Sequence, residues 1–126
     1  MSTDAVTPAI TPAVDTALLA AAATAELEDW GPLEEATGGA METSGLTLWS
    51  SDDGSQDVGV WQCTAGPSYW VQEENEFVHI LSGSLTVMPD GGSPKTLGPG
   101  DVAVFPRGWR GRWDLHETVR KVYVIF

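Results

Sequence analysis

Few residues of this chain could carry acid–base chemistry from an apolar setting, and they fall in three short stretches. Glu76 heads the run EFVHIL. Two-residue alternation along a strand puts Val78 and Ile80 on its face and turns His79 to the other. The preceding run, SYWVQ, sets Ser68, Trp70 and Gln72 on one face and Tyr69 and Val71 on the other. Near the end of the chain, VRKVYVI sets Lys121, Tyr123 and Ile125 on one face and Val122 and Val124, with Phe126 following, on the other. The apolar trio suits a core between sheets. Lys121 and Tyr123 are then placed on the pocket side. A carboxyl group partly buried among indoles rises in pKa toward neutrality and can act as a general base or acid. A lysine beside it can offset that rise, or hold a substrate carboxylate while Glu76 takes a proton. Glu76, Lys121 and Tyr123 are therefore the catalytic candidates. The competing reading is structural: Glu76 accepts hydrogen bonds from its neighbours and the tryptophans fill the interior.

The elements that must position these groups are short strands. From Gly45 onward, β-branched and aromatic segments recur, at 45–50, 57–63, 68–72, 76–81, 84–88, 95–97, 101–105, 111–114 and 118–125. Between them lie turn signals such as Asp52-Asp53-Gly54, Gly66-Pro67, Asp90-Gly91-Gly92 and Gly98-Pro99-Gly100. This spacing predicts an all-β sandwich or barrel. Pro8 and Pro12 exclude a helix at the very start; Asp15 or Thr16 could cap a short helix running through the alanines to about Glu28. Residues 26–44 are acidic and rich in turns, and Trp30 is expected to anchor this arm on the body.

Composition narrows the function classes. A chain of 126 residues suffices for one core. Its net charge of −12 argues against nucleic acid, because phosphate binding needs a clustered positive surface. Five of the 6 basic residues (Arg107, Arg110, Arg112, Arg120 and Lys121) fall late in the chain, so a local site for a small anion stays open. No apolar run is long enough to span a bilayer, and the N-terminus has no signal-peptide pattern, so a cytoplasmic protein without membrane contacts is expected. The lone Cys63 excludes an internal disulfide and reads as a half-buried structural residue.

Two blocks resemble the cupin superfamily. Glu76, six residues and Gly83 resemble the end of the first cupin motif; Gly100, five residues, Pro106, one residue and Gly108 resemble the start of the second. The runs GVWQCTAG, ENEFVHILSGSLTV and PRGWRGRW, with the terminal ETVRKVYVI, are similar to the ureidoglycine-aminohydrolase-like and ethanolamine-utilisation-Q-like subgroup. The resemblance implies a double-stranded β-helix, or jelly-roll, barrel over 27–126, preceded by an arm over 1–26, and a homodimer that buries one sheet face. It also implies where a metal would sit. The ligand positions fall on Trp70, Gln72, Glu76 and Gly111, and one carboxylate with one amide does not make a transition-metal site. No metal or other cofactor is expected. Gly111 at a ligand position turns Trp113 inward, so Trp70, Gln72 and Trp113 become ligand-contacting candidates. Trp109 at a loop mouth and the neighbouring Arg112 join them. The expected function is binding of a small polar metabolite, with metal-independent isomerase- or lyase-type proton transfer by the pocket carboxylate. Two alternatives stay open: a metal-dependent hydrolase or lyase resembling ureidoglycine aminohydrolase, and a non-catalytic binding module. Trp49 and Trp61 are expected to have packing roles.

Overall fold

Alternating burial governs most strands of the computed structural model, which describes residues 13–126. Among the described residues ten strands follow one another: β1 Glu28–Pro32, β2 Glu42–Ser50, β3 Asp57–Cys63, β4 Gly66–Val71, β5 Glu76–Ser82, β6 Leu85–Pro89, β7 Lys95–Leu97, β8 Val102–Phe105, β9 Arg110–Leu115 and β10 Val119–Ile125. They form two antiparallel sheets, one ordered β1-β2-β3-β10-β5-β8 and the other β4-β9-β6-β7. The chain is thus an all-β jelly roll.

The inner faces meet in a core that includes Met41, Cys63, Ile80, Phe105 and Trp113. Every second residue of β5 and β10 points into it: Glu76, Val78 and Ile80 on one strand, and Val119, Lys121 and Tyr123 on the other are buried. His79 lies on the outer face and is half-buried. Val122 and Val124 share that outer face, and Phe126 is exposed. This corrects the assignment of that trio to the space between the sheets. Two large side chains of mixed character, Lys121 and Tyr123, take the inner face because their polar ends find partners there.

The first part of the described chain departs from the helix expected through the alanines. Thr24 and Ala25 donate to the carbonyl of Ala21, closing a single turn, and no helix occurs among the described residues. The carbonyls of Ala22 and Ala25 accept from Arg120, each at 2.9 Å. Ala21 has a φ of 51°, outside the helical region. Alanine propensity is a weak bias, and a guanidinium bound to two backbone oxygens overrides it. The acidic stretch after the turn contains a strand, β1, which pairs with β2. Trp30 on β1 packs over Gly45 of β2, where a Cβ would strike the indole ring.

Candidate functional site

Three strand pairings build the site. In the β10–β3 register Lys121 lies opposite Trp61, and Tyr123 opposite Gly59. In β10–β5, Ile125 lies opposite Glu76. In β4–β9, Trp70 lies opposite Gly111, and Ser68 opposite Trp113. Glu76, Lys121 and the indoles, far apart in sequence, thereby share one interior.

At its centre is an ion pair. Lys121 Nζ stands 2.7 Å from Glu76 Oε2, and the two residues are only 4% and 6% exposed. Gln72 Nε2 donates to the other carboxylate oxygen, Oε1, at 3.3 Å. The ammonium also lies 4.5 Å from the ring centroids of both Trp61 and Trp113. Each indole face attracts a cation, more strongly where water is excluded. Trp70 stacks against Trp113 with centroids 4.9 Å apart, and its Nε1 donates to Ser68 Oγ at 2.8 Å. Ser68 Oγ in turn donates to the Trp113 carbonyl. Trp113 Nε1 is buried without a partner.

Beside the pair opens a cavity of about 200 Å³, lined by Trp30, Trp61, Trp70, Gln72, Glu76, Lys121, Tyr123 and Ile125. A Cβ at Gly59 would meet the Tyr123 hydroxyl, so glycine there makes room for the phenol. Burial raises the Tyr123 pKa; a hydrogen bond with Thr47 opposes the rise, and the charges of Asp57 and Glu76 add to it. Cys63 lies deeper and is fully buried rather than half-buried. Burial pushes its thiol up to about 11, against the opposing charge of Lys121, which leaves it a packing residue.

Of the residues singled out from sequence, Glu76, Lys121, Tyr123, Trp70 and Gln72 line this cavity. Trp113 lies beneath the ammonium. Trp109 and Arg112 are placed elsewhere. Trp109 packs edge-on against Phe105, 5.0 Å between centroids, and faces a second cavity of about 630 Å³ between β7 and β8. Strand alternation turns Arg112 outward, where it lies 3.8 Å from Asp114. Nor do the late arginines gather into an anion site; Arg120 is held by Gln62, Ala22 and Ala25. The second cavity is larger but poor in chemistry. Of its charged groups, Asp101 accepts from the Gly98 amide at 2.8 Å and so fastens a turn, and Lys95 is exposed.

Sequence reading missed two walls, Trp30 and Trp61. Trp61 sits two residues before Cys63 on the inward face, so its alternation was readable; its position opposite Lys121 was not. Trp30 had a signal in its type, as the one aromatic residue of the acidic stretch 26–44.

The fold family suggests a metal in such a barrel, and the donor set does not fit one. Trp70 and Gly111 at two of the expected ligand positions supply no donor side chain, and a Cβ at Gly111 would meet the Trp109 indole. The Glu76 carboxylate is engaged by an ammonium and an amide. No group of three or more His, Cys, Asp or Glu residues suited to a metal occurs among the described residues.

Comparison with known proteins agrees with this architecture. Residues 50–123 match the EutQ-like cupin domain. A Salmonella typhimurium LT2 structure assigned to ethanolamine utilisation as protein Q superposes with a TM-score of 0.63 at 25% identity, covering 76% of each chain. A DUF861-family protein of Thermotoga maritima is 34% identical over 53% of this chain and 76% of its own, with a TM-score of 0.52. A DUF861-family protein of unknown function from Pseudomonas syringae pv. tomato has a TM-score of 0.75 at 20% identity, over 82% of this chain. The present chain spans 46% of that protein's length. No match is found among curated proteins. No helix among the described residues is long and apolar enough to cross a membrane. With the family match over more than half its length and a jelly roll built around the matching positions, this chain belongs to the EutQ-like cupins.

Proposed function

We propose that the protein binds a small polar metabolite beside the Glu76–Lys121 pair and moves a proton on it without a metal. One observation carries this reading. A carboxylate and an ammonium, 2.7 Å apart and nearly inaccessible to solvent, border a cavity otherwise walled by four aromatic rings, Gln72 and Ile125. Apolar walls hold a ligand by area, and a few polar groups orient it. A ligand carboxylate would accept from the spare N–H groups of Lys121 and Gln72. Glu76 would then take a proton from the carbon next to that carboxylate. The C–H electron pair moves into the carboxylate, and Lys121 balances the charge. Return of the proton to the other face of the same carbon inverts its configuration, an isomerisation; departure of a β-substituent with its bonding pair, as the carbon pair forms a C=C bond, gives elimination.

A second reading, binding without turnover, has its own support. Both oxygens of Glu76 already accept hydrogen bonds, from Gln72 and Lys121, so a reacting carbon would have to displace one of them. A thermal-shift panel of small carboxylates, amino acids and amines separates the readings. Ligands that stabilise the wild type should fail to stabilise Lys121→Met. In D2O, they should acquire deuterium at carbon with the wild type and not with Glu76→Gln. Stabilisation without deuterium incorporation for any ligand would refute proton transfer and leave the binding module. No stabilisation by any panel member would refute the ligand site.

A further inference from the structure

The walls of the cavity specify a narrower ligand chemistry. Four aromatic side chains line it: Trp30, Trp61, Trp70 and Tyr123. Aromatic faces attract cations, and quaternary ammonium groups are held in cages of this kind. The interior already does so with its own lysine, whose ammonium lies 4.5 Å from two indole centroids. Glycines make the space for the outer rings, Gly45 beneath Trp30 and Gly59 beneath Tyr123.

A lysine ammonium has three donors and a glutamine amide has two, and Glu76 takes one from each. Spare donors therefore remain. On the acceptor side, each Glu76 oxygen already takes one of these bonds, from Gln72 and from Lys121. A primary ammonium seated among the aromatic rings would need partners for three N–H groups that those rings do not supply, at a cost for each one left unpaired in a desolvated site. A fully methylated ammonium has no N–H to satisfy. In charge, too, the pocket is neutral in sum but polarised, so a ligand carrying one charge would meet one pole and leave the other.

We infer that the pocket takes a small zwitterion of the betaine type, a methylated ammonium joined through one carbon to a carboxylate. The methylated end lies among Trp30, Trp61, Trp70 and Tyr123; the carboxylate accepts from Lys121 and Gln72. A cavity of about 200 Å³ corresponds to about seven waters at roughly 30 Å³ each, the scale of such a molecule. The inference rests on the cavity being a ligand site, as proposed above.

Isothermal titration of the full-length protein at matched ionic strength tests it with four probes. These are glycine betaine, its isostere 3,3-dimethylbutanoate with carbon in place of the cationic nitrogen, tetramethylammonium and acetate. Glycine betaine should saturate, and each of the other three should bind at least about tenfold more weakly. Trp30 is 41% exposed on an edge strand, so it can be changed without emptying the core. Trp30→Leu, which keeps an apolar cover but no π face, should weaken betaine about five- to tenfold. Trp30→Phe should restore most of that loss. Equal binding of betaine and 3,3-dimethylbutanoate would overturn the inference, as would unchanged affinity in Trp30→Leu. Absence of betaine binding, with other panel ligands still stabilising the wild type, would also overturn it while leaving the ligand site standing. Silence of the whole panel would remove both.

Discussion

Replacing Lys121 by methionine removes a charge from the centre of the barrel and leaves its partner behind. At 2.7 Å, two unit charges attract by about 6 kcal/mol at an effective dielectric constant of 20. That gross figure is offset by the removal of both groups from water. What the single substitution measures is chiefly the cost of an uncompensated carboxylate in a site 6% exposed, for which about 3–5 kcal/mol is expected. Two contacts with indole rings are lost as well. Methionine fills similar volume, so a cavity contributes little. Glu76→Gln should also destabilise, because Lys121 then faces an amide. The double variant, Glu76→Gln with Lys121→Met, holds no buried charge and should recover about 2 kcal/mol or more relative to the sum of the singles. Urea unfolding followed by far-UV circular dichroism supplies the three values. A Lys121→Met variant within about 1 kcal/mol of wild type, or a double variant equal to the sum of the singles, would refute the coupling inferred from the geometry.

Two further predictions concern the titrating groups. Cys63 should resist a thiol reagent at pH 8 in the folded protein and react at once in denaturant, since it is fully buried and its thiol is pushed up to about 11; stoichiometric labelling of the native protein within minutes would contradict this. Both tyrosines should ionise above their ordinary value of 10.0, Tyr69 chiefly through its hydrogen bond to Asp90 and Tyr123 chiefly through burial. A folded pKa raised above the unfolded one gives stability that is present in full below about pH 10 and is lost as pH rises through the folded value. Phenolate absorbance should accordingly rise at higher pH in the native protein than in urea, and coincident titrations would count against it.

The parts of the site that could be read from sequence were those carried by a single strand. Alternation placed Glu76 with Val78 and Ile80, set His79 on the other face, and grouped Lys121 with Tyr123; each of these needs only the period of a strand. Trp61 under the ammonium needed the register between β3 and β10, which no local period encodes. Trp30 needed the pairing of β1 with β2 and the empty space above Gly45. Proximity in sequence misled in the case of Arg112 and Trp109, which lie within two residues of Gly111 yet do not line the cavity. The alanine segment failed for a different reason. Its carbonyls are taken by Arg120, a contact that spans nearly the whole chain and outweighs a helical bias worth tenths of a kcal/mol per residue.

The ion pair needs a reason other than stability. A buried lysine and glutamate of this geometry are on average no better for a fold than two apolar residues of the same volume. The surrounding indoles and aliphatic side chains could have closed the barrel unaided, as they do around Ile80 and Leu85. What the pair supplies is a fixed polarity in a site with little water to screen it. A metal would give a stronger positive pole, but one that depends on loading and demands several anionic or imidazole donors. Lys121 is covalently part of the wall, is matched in charge by Glu76, and is held in place by two rings. On the proposed function, such a pole, weaker than a divalent ion, suits ligands already charged or acidic at carbon. In that reading the lack of metal-ligand side chains at Trp70 and Gly111 and the class of molecule proposed for the pocket have one cause.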